Sequence, residues 1–200
     1  MVKKLELAAK VRDGLFLASS RTYAEQYIEP LLRDRYDLLE PSGGDYDAIG
    51  KDGTKYEIKA CKVLLATKNG KGSRSILERI LFELTNLETA RMVKFSESES
   101  AEYLANVQNV KRDHFDILLY ALLFEDCIKV FSAKKDQIAS GTFKSWSEKH
   151  GRYDALGKSG QFGITRATVG WHLKNHLKDT ITYDEATAVF ERLSTTEISE

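Results

Sequence analysis

An Asp-Gly pair at residues 52–53 separates two runs of residues with strand-like patterning, and this signal constrains the fold more than any other. The runs cover residues 45–50 and 54–65. Glycine adopts the positive φ that a tight turn between antiparallel strands requires, so the pattern predicts a β-hairpin. The chain therefore contains a sheet in which these two runs are neighbours.

The remaining segments predict helices around that sheet. An apolar run over residues 115–124 and a second over 128–131 predict two central strands, because the first run is apolar on both faces. Ser75 and Glu78 have the spacing of a helix-capping box, and the apolar residues after them are expected on the buried face of a helix over residues 76–92. Further helices are predicted over residues 20–29, 166–177 and 184–193, with a kink or break at Pro30. This order predicts an α/β (α+β) fold, with one mixed β-sheet flanked by helices.

Composition excludes several classes of protein. No apolar run approaches the roughly 18 residues that a membrane-spanning helix needs, so no membrane partner is expected. Charged residues at positions 6, 10, 12 and 13 interrupt the apolar stretch of a signal peptide, which predicts a cytoplasmic protein. Cys61 and Cys127 form neither a disulfide framework nor the spacing of a zinc site.

Charge is balanced overall and uneven locally. The chain has 30 basic and 30 acidic residues. Residues 51–75 and 141–178 each hold seven Lys or Arg against two Asp or Glu, whereas residues 179–200 hold six acidic residues and one arginine. Two basic stretches in a neutral chain predict a basic surface that faces an anion, and solvated charged faces are the alternative.

The hairpin carries a group of residues with catalytic chemistry. Because side chains alternate along a strand, Glu57 and Lys59 share one face, and Asp47 can reach the same end of the sheet from the partner strand. Two carboxylates suit a hard cation such as Mg²⁺, and a lysine beside them can position or deprotonate a water. This combination is typical of phosphodiester hydrolysis, although a cross-strand ion pair on a solvated face would have the same residues.

The segment DAIGKDGTKYEIK, residues 47–59, resembles the active-site hairpin of the PD-(D/E)XK nuclease superfamily. The likeness is greatest to small, PvuII-like type II restriction endonucleases, and it covers about fifteen residues of the chain. The shared features are the Asp-Ala-aliphatic start, the turn glycine and the Tyr-Glu-aliphatic-Lys end, with ten residues from Asp to Glu. One departure is Tyr46, which stands where the family has proline before the aspartate.

The resemblance implies a restriction-endonuclease-like core and a set of site residues. Asp47 and Glu57 would bind Mg²⁺ together with the backbone carbonyl of Ile58, and Lys59 would hold or activate the attacking water. Asp45 lies two residues before Asp47 on the same strand face and is an alternative ligand. The family often adds a glutamate from an N-terminal helix, for which the candidates are Glu25 and Glu29.

The same resemblance predicts one nuclease domain over residues 1–200, with N-terminal helices (1–40), a catalytic core (41–135) and a C-terminal segment for DNA recognition (136–200). The expected substrate is double-stranded DNA. Cutting a palindromic site on both strands requires two active sites, so a homodimer is expected, with an interface from the N-terminal helices or the 76–92 helix. A companion DNA methyltransferase is a further possible partner.

Two glycine-containing basic loops supply the candidate DNA contacts, because sequence-specific cutting needs groups that reach base edges and phosphates. The candidates are Lys62, Lys68, Asn69, Lys71, Ser73 and Arg74 after the catalytic strand, and Lys158, Ser159, Gln161, Thr165, Arg166 and Lys174 in the C-terminal third.

Two alternative functions remain open from the residues. A structure-selective repair or junction nuclease would use the same hairpin on a different DNA substrate. A non-catalytic, sequence-specific DNA-binding regulator would use residues 163–177, of which 163–173 resemble the second half of a helix-turn-helix. Residues 150–162 are too rich in glycine and polar residues to supply its first helix.

Overall fold

A mixed five-stranded sheet has helices on one side and a second, three-stranded sheet on the other. The computed structural model describes residues 2–66, 75–78, 81, 87–139, 141–148 and 159–197. Its strands are β1 (Ala48–Ile49), β2 (Lys55–Lys62), β3 (Ala105–Val110), β4 (Ile117–Leu123), β5 (Ile128–Lys134), β6 (Trp146–Glu148), β7 (Gly160–Ile164) and β8 (Leu177–Ile181). Its helices are α1 (Val2–Leu17), a π-helix (Thr22–Ile28), α2 (Glu29–Arg35), α3 (Lys135–Ala139), α4 (Val169–His176) and α5 (Tyr183–Glu197), with short 3₁₀ turns at Glu88–Ala90 and Phe95–Glu97.

The five-stranded sheet has the order β1-β2-β4-β5-β8. Strands β2 and β4 are parallel and the other neighbours are antiparallel, which confirms the prediction of a mixed sheet with flanking helices. The predicted hairpin is confirmed as well, since Ala48 lies opposite Tyr56 and the turn residue Gly53 has a φ of 84°. The Asp-Gly turn therefore sets the register of the strands that carry the candidate site.

Strand β4 forms the centre of the sheet, as its uniformly apolar sequence predicts. Leu118, Tyr120 and Leu122 point into one hydrophobic core, beneath the three-stranded sheet. Leu119 and Leu123, on the opposite face, belong to the core beneath α1, α2 and α5. All of these side chains are completely buried, so β4 joins the two halves of the molecule.

The three-stranded sheet, with the order β3-β7-β6, is antiparallel and has no counterpart in the sequence prediction. Its hydrophobic pattern is weak because a register shift interrupts β3 between Val107 and Val110, and because β7 contains two glycines. One of them, Gly160, lies against the indole of Trp146, where an added Cβ would be only 1.9 Å from the ring. Close packing thus requires glycine at a position that sequence patterning assigns to a loop.

Several predicted helices differ in detail from the structure. The predicted helix over 166–177 is shorter, since α4 ends at His176 and β8 begins immediately after it. Pro30 lies in the first turn of α2, where the π-helix ends, so the predicted break is observed as a change of helix type. None of the described helices is both long and apolar enough to cross a membrane.

The capping box at Ser75 is confirmed, but the burial predicted for the helix after it is wrong in the described residues. The Ser75 N–H donates to the Glu78 carboxylate at 2.7 Å, and the Glu78 N–H donates to Ser75 Oγ at 3.2 Å. Ile76, Leu77 and Leu81, which were expected in the core, are 78%, 64% and 52% exposed. The apolar pattern here does not correspond to a face packed on the core.

His172, on α4, is completely buried within a cluster of aromatic rings from several strands and helices. Its Nδ1 lies 2.9 Å from the hydroxyl of Tyr120, and its ring stacks on Phe162 with centroids 5.7 Å apart. Its Nε2 has no hydrogen-bond partner in the described part of the chain. Burial, together with a smaller effect of the neighbouring His176, lowers the pKa of His172 to about 3. The histidine is therefore a neutral core residue.

We expect acid to destabilise the protein through His172. In the unfolded chain this imidazole takes up a proton near its ordinary pKa of 6.5, whereas in the folded chain it stays neutral down to about pH 3. Because the unfolded state binds more protons over this range, the free energy of unfolding falls by roughly 1 kcal/mol per pH unit as the pH drops from about 6 to 4. Urea unfolding of the wild type and of His172→Gln at several pH values measures this slope.

The comparison isolates one histidine, because carboxylates that titrate in the same range are common to both proteins. His114→Gln is the matched control, since His114 is partly exposed and pairs with Asp45. Equal slopes for the wild type and His172→Gln would contradict the prediction.

Candidate active site

Three oxygen atoms converge on the ammonium group of Lys59 at the open edge of the five-stranded sheet. Lys59 Nζ lies 2.5 Å from Glu57 Oε1, 3.3 Å from Asp47 Oδ2 and 3.1 Å from the carbonyl oxygen of Ile58. Glu57 and Lys59 share a face of β2, and Asp47 precedes β1 on the partner strand. The hairpin therefore brings together the four residues that the sequence analysis selected.

Asp47 is held in place by the backbone of the hairpin. Its N–H donates to the carbonyl of Tyr56 at 2.9 Å, and its Oδ2 accepts the N–H of Ile58 at 2.7 Å. From α2, the guanidinium of Arg33 donates to the carbonyl of Asp47 at 3.3 Å. These contacts orient the carboxylate toward Lys59.

Burial and charge act in opposite directions on the two central side chains. Burial raises the pKa of Glu57, which is only 3% exposed, while Lys59 partly offsets this effect. Burial alone would lower the pKa of Lys59, but the carboxylates of Glu57 and Asp47 outweigh it and raise that pKa above its ordinary value. Lys59 is therefore a cation at neutral pH, which favours positioning and charge stabilisation over proton abstraction.

The site opens into a cavity of about 630 Å³ with two chemically different walls. The helical wall is formed by six residues between positions 20 and 29, among them Arg21, Glu25 and Glu29. The opposite wall is formed by β3, which contributes the amide side chains of Asn106, Gln108 and Asn109. Asp47 and Lys59 lie at the base between the two walls.

Of the two helix glutamates, Glu29 is the one coupled to the site. Burial raises its pKa to about 8, and the nearby carboxylate of Asp47 adds to that shift. Its side chain is 15% exposed and lies 3.9 Å from Arg33. Glu25 is 53% exposed and pairs with Arg21 at 3.0 Å on the rim of the cavity. The structure therefore places both predicted glutamates at the cavity, with Glu29 deeper.

Asp45, the alternative aspartate, points elsewhere. Its carboxylate lies 3.0 Å from His114 Nδ1 and 3.9 Å from Lys111 Nζ, and its side chain is 62% exposed. Lys59 contacts Asp47 instead. The hairpin geometry favours Asp47 as the carboxylate of the site.

The prediction that Lys62 contacts DNA is wrong, because its ammonium group is buried and fully hydrogen-bonded within the protein. Its ammonium is almost fully buried and donates to the carbonyls of Phe16 at 2.8 Å and Ala18 at 2.6 Å, and to the carboxylate of Glu88. Three acceptors use all three of its donors. Lys62 therefore joins the end of α1 to the sheet.

Replacing Lys62 with methionine is expected to destabilise the fold and to leave DNA affinity unchanged. The change leaves two backbone carbonyls without their donor, which costs roughly 2 kcal/mol, or about 4–8 °C in Tm for a domain of this size. Thermal unfolding measures the first effect, and the salt dependence of DNA binding measures the second. Lys55→Met, an exposed lysine on the same strand, is the matched control. An unchanged Tm together with a reduced salt slope would restore Lys62 as a phosphate contact.

The remaining predicted DNA contacts lie away from the cavity or outside the described residues. Lys68, Asn69, Lys71, Ser73, Arg74 and Lys158 belong to segments that the structure does not describe. Ser159 is buried, and the N–H of Thr165 donates to Thr168 Oγ1 at 3.0 Å in a local turn. Gln161 lies on β7, and Lys174 is exposed on α4. Arg166 pairs with Glu102 at 2.6 Å. None of these described residues lines the cavity.

The amides of β3 and Arg21 also line the cavity, and they were not among the predicted site residues. Residues 95–113 are polar and carry no regular pattern, so no signal in the sequence placed β3 beside β2. The helix-turn-helix alternative has no counterpart either, because α4 is preceded by strand β7.

Oxygen atoms dominate the candidate metal site. Within the described ranges no group of three or more His, Cys, Asp or Glu side chains has a metal-binding arrangement. The donors available around Lys59 are two carboxylates and one backbone carbonyl. This set fits a hard cation that keeps several water ligands, as Mg²⁺ does, since Mg²⁺ commonly uses only one or two protein carboxylates. The same three oxygens already surround one positive charge, the ammonium of Lys59.

Comparison with known proteins assigns no family to the chain. No protein-family description matches the sequence, and no curated protein has significant similarity to it.

Proposed function

We propose that this chain is a Mg²⁺-dependent endonuclease that hydrolyses phosphodiester bonds in double-stranded DNA at a specific short sequence, in the manner of type II restriction enzymes. The observation that carries the proposal is the convergence of Asp47, Glu57 and the Ile58 carbonyl on the ammonium of Lys59. These are the four residues by which the hairpin resembles the PD-(D/E)XK nucleases. A surface ion pair would leave them exposed, whereas Glu57 is buried and Asp47, Ile58 and Lys59 line a cavity.

Each residue of the site has a distinct role in this reaction. Asp47, Glu57 and the carbonyl of Ile58 would hold Mg²⁺, which when bound supplies Lewis acidity at a phosphate oxygen and lowers the pKa of a bound water. Lys59, kept protonated by the carboxylates, donates to the attacking water or to the phosphate oxygen on which charge develops. Glu29 lies on the helical wall of the same cavity, where burial and Asp47 raise the pKa of its carboxyl, and it is the candidate for a further carboxylate at the site.

The arrangement of the central strands supports a restriction-endonuclease-like core. An antiparallel hairpin, β1 and β2, carries the site, and the largely buried strand β4 pairs with β2 in parallel. Helices cover the opposite face through the core of α1, α2 and α5. A rigid central strand beside the catalytic strand keeps the site geometry fixed.

A palindromic target requires a second copy of the chain, and the segment after Ser75 offers apolar surface for it. Ile76, Leu77 and Leu81 are all more than half exposed, which is unfavourable unless another surface covers them. Sedimentation of the purified protein with and without DNA measures the oligomeric state. A companion methyltransferase would protect the host's own sites and belongs to the same proposal.

The decisive experiment incubates the purified protein with unmethylated phage DNA and Mg²⁺. Parallel reactions contain EDTA, the Lys59→Ala variant, or the Lys55→Ala variant as a matched control on the same strand. Discrete fragments with the wild type and Lys55→Ala, and none in the other two reactions, would support a sequence-specific endonuclease. Sequencing the fragment ends then gives the recognition site and the cut position.

Other outcomes select the alternatives. Cutting of branched DNA without cutting of intact duplex would favour a repair or junction nuclease. A specific gel shift that survives Lys59→Ala, with no cleavage by the wild type, would favour a DNA-binding regulator and overturn the proposal.

A further inference from the structure

The cavity wall opposite the helices differs from the rest of the site because it presents neutral amide side chains. Asn106, Gln108 and Asn109 of β3 line the same cavity as Asp47 and Lys59. The other walls provide carboxylates and cations, which suit a metal ion and a phosphate. The neutral amides beside the proposed phosphodiester-cleaving site therefore suit an uncharged part of the ligand.

The outward direction of these amides is fixed by the core beneath β3. Val107 and Val110 are completely buried, and Ala105 is 1% exposed. The register shift between Val107 and Val110 places two consecutive residues, Gln108 and Asn109, on the exposed side. Asn109 adopts a φ of 57°, a left-handed conformation that asparagine tolerates better than most residues. The bulge thereby increases the number of amides at the cavity.

Strand β3 is also anchored directly to the catalytic strand. The thiol of Cys61 donates to the carbonyl of Asn106 at 3.0 Å, and Cys61 follows Lys59 by two residues on the same face of β2. Across the sheet, Asn106 lies opposite Gly163, and the side chain of Leu104 packs over that glycine. The contact with Cys61 therefore sets the position of β3 and its amides relative to Lys59.

A side-chain amide carries both a donor and an acceptor and no charge. It can pair in bidentate fashion with the edge of adenine in the major groove, and strands are known to enter DNA grooves. A neutral group adds nothing to the counterion release that drives nonspecific binding. The chemistry of this wall therefore suits nucleobase edges next to the bond that is cut.

We propose that Asn106 and Gln108 contact base edges of duplex DNA beside the scissile phosphate, and so determine the sequence preference at those base pairs. The inference rests on the proposed function and deepens it. It replaces the loop residues of the C-terminal third with β3 as the recognition element closest to the cut.

The test compares sequence preference, which a phosphate contact would not change. A duplex pool with a randomised central segment is cleaved by the wild type and by Asn106→Ala, Gln108→Ala and the double variant, and the products are sequenced. In parallel, the Lys59→Ala protein with and without Gln108→Ala selects bound duplexes from the same pool. Gln26→Ala is the matched control, because Gln26 is an exposed amide on the π-helix outside the catalytic cavity. Thermal unfolding confirms that each variant is folded.

We expect Gln108→Ala to reduce discrimination at one base pair by about ten-fold to one-hundred-fold while leaving preference at the other positions intact. Asn106→Ala should act on a neighbouring base pair, and Gln26→Ala on none. The salt dependence of binding should be the same for all variants.

The two proposals fail in different ways. A wild type that cuts DNA with a sequence preference that both β3 variants retain would overturn only the role of β3. A uniform loss of cleavage at all sequences would assign the amides to the phosphate backbone and overturn it too. A wild type that neither cuts nor selects any sequence would overturn both proposals. Selection by the Lys59→Ala protein that changes with Gln108→Ala supports β3 even if the wild type does not cut.

Discussion

Replacing Lys59 with alanine is expected to reduce DNA cleavage by roughly 100-fold to 10,000-fold, the range typical of losing a positioned proton donor or acceptor. The lysine is the only group that contacts Asp47, Glu57 and the Ile58 carbonyl together among the described residues. Its loss removes the donor that orients water or stabilises the developing charge, while no described contact links it to the β3 wall. Cleavage rates under single-turnover conditions measure the effect.

DNA binding separates a catalytic role from a structural one. Binding by Lys59→Ala should stay within a few-fold of the wild type, because this side chain acts at the scissile phosphate. Lys55→Ala should behave as the wild type in both assays, since Lys55 is exposed at the start of the same strand. A cleavage rate within ten-fold of the wild type for Lys59→Ala would remove the lysine from the mechanism.

Replacing Asp47 with asparagine is expected to abolish both cleavage and the response of the protein to Mg²⁺. Asparagine keeps an oxygen that can accept the Ile58 N–H, so the hairpin should fold, but it removes one of the two carboxylate charges that hold the cation. A ligand at 100 times its Kd stabilises a protein by about 2.7 kcal/mol, and this increment should disappear in the variant. Thermal unfolding with and without Mg²⁺ detects the loss independently of catalysis.

Asp45→Asn provides the matched control two residues earlier in the chain. Because Asp45 pairs with His114 and is mostly exposed, this variant should retain both cleavage and the Mg²⁺-dependent rise in Tm. Glu57→Gln, by contrast, should behave as Asp47→Asn does. If Asp45→Asn lost the Mg²⁺ response and Asp47→Asn kept it, the ligand assignment would be reversed.

The candidate site could be predicted from the sequence because its residues are brought together by local structure. A ten-residue step from Asp47 to Glu57 across a tight turn requires no long-range information, since the turn residue Gly53 and strand alternation set which side chains meet. The central position of β4 follows in the same way from a run that is apolar on both faces.

The burial of Lys62 and the exposure of Ile76 and Leu77 could not be predicted from such patterns. Lys62 belongs to a basic stretch that looks solvated, yet carbonyls from the end of α1, more than forty residues away, bury its ammonium. Ile76 and Leu77 have the spacing of a core face, but their described side chains remain exposed. Burial depends on which distant surface lies nearby, and a local pattern does not contain that information.

The sequence by itself determined the hairpin of the candidate site, its carboxylates and lysine, and the mixed sheet around β4, because turn geometry and alternation act between near neighbours. Tertiary structure alone decided the second sheet, the amide wall of β3 and the depth of Glu29 beneath the site. In these cases strands with glycines and a bulge pair across more than fifty residues, and their hydrophobic signal appears only once Val107 and Phe162 are packed together. Local sequence determined the residues at the base of the cavity, whereas long-range strand pairing determined the position of the β3 wall.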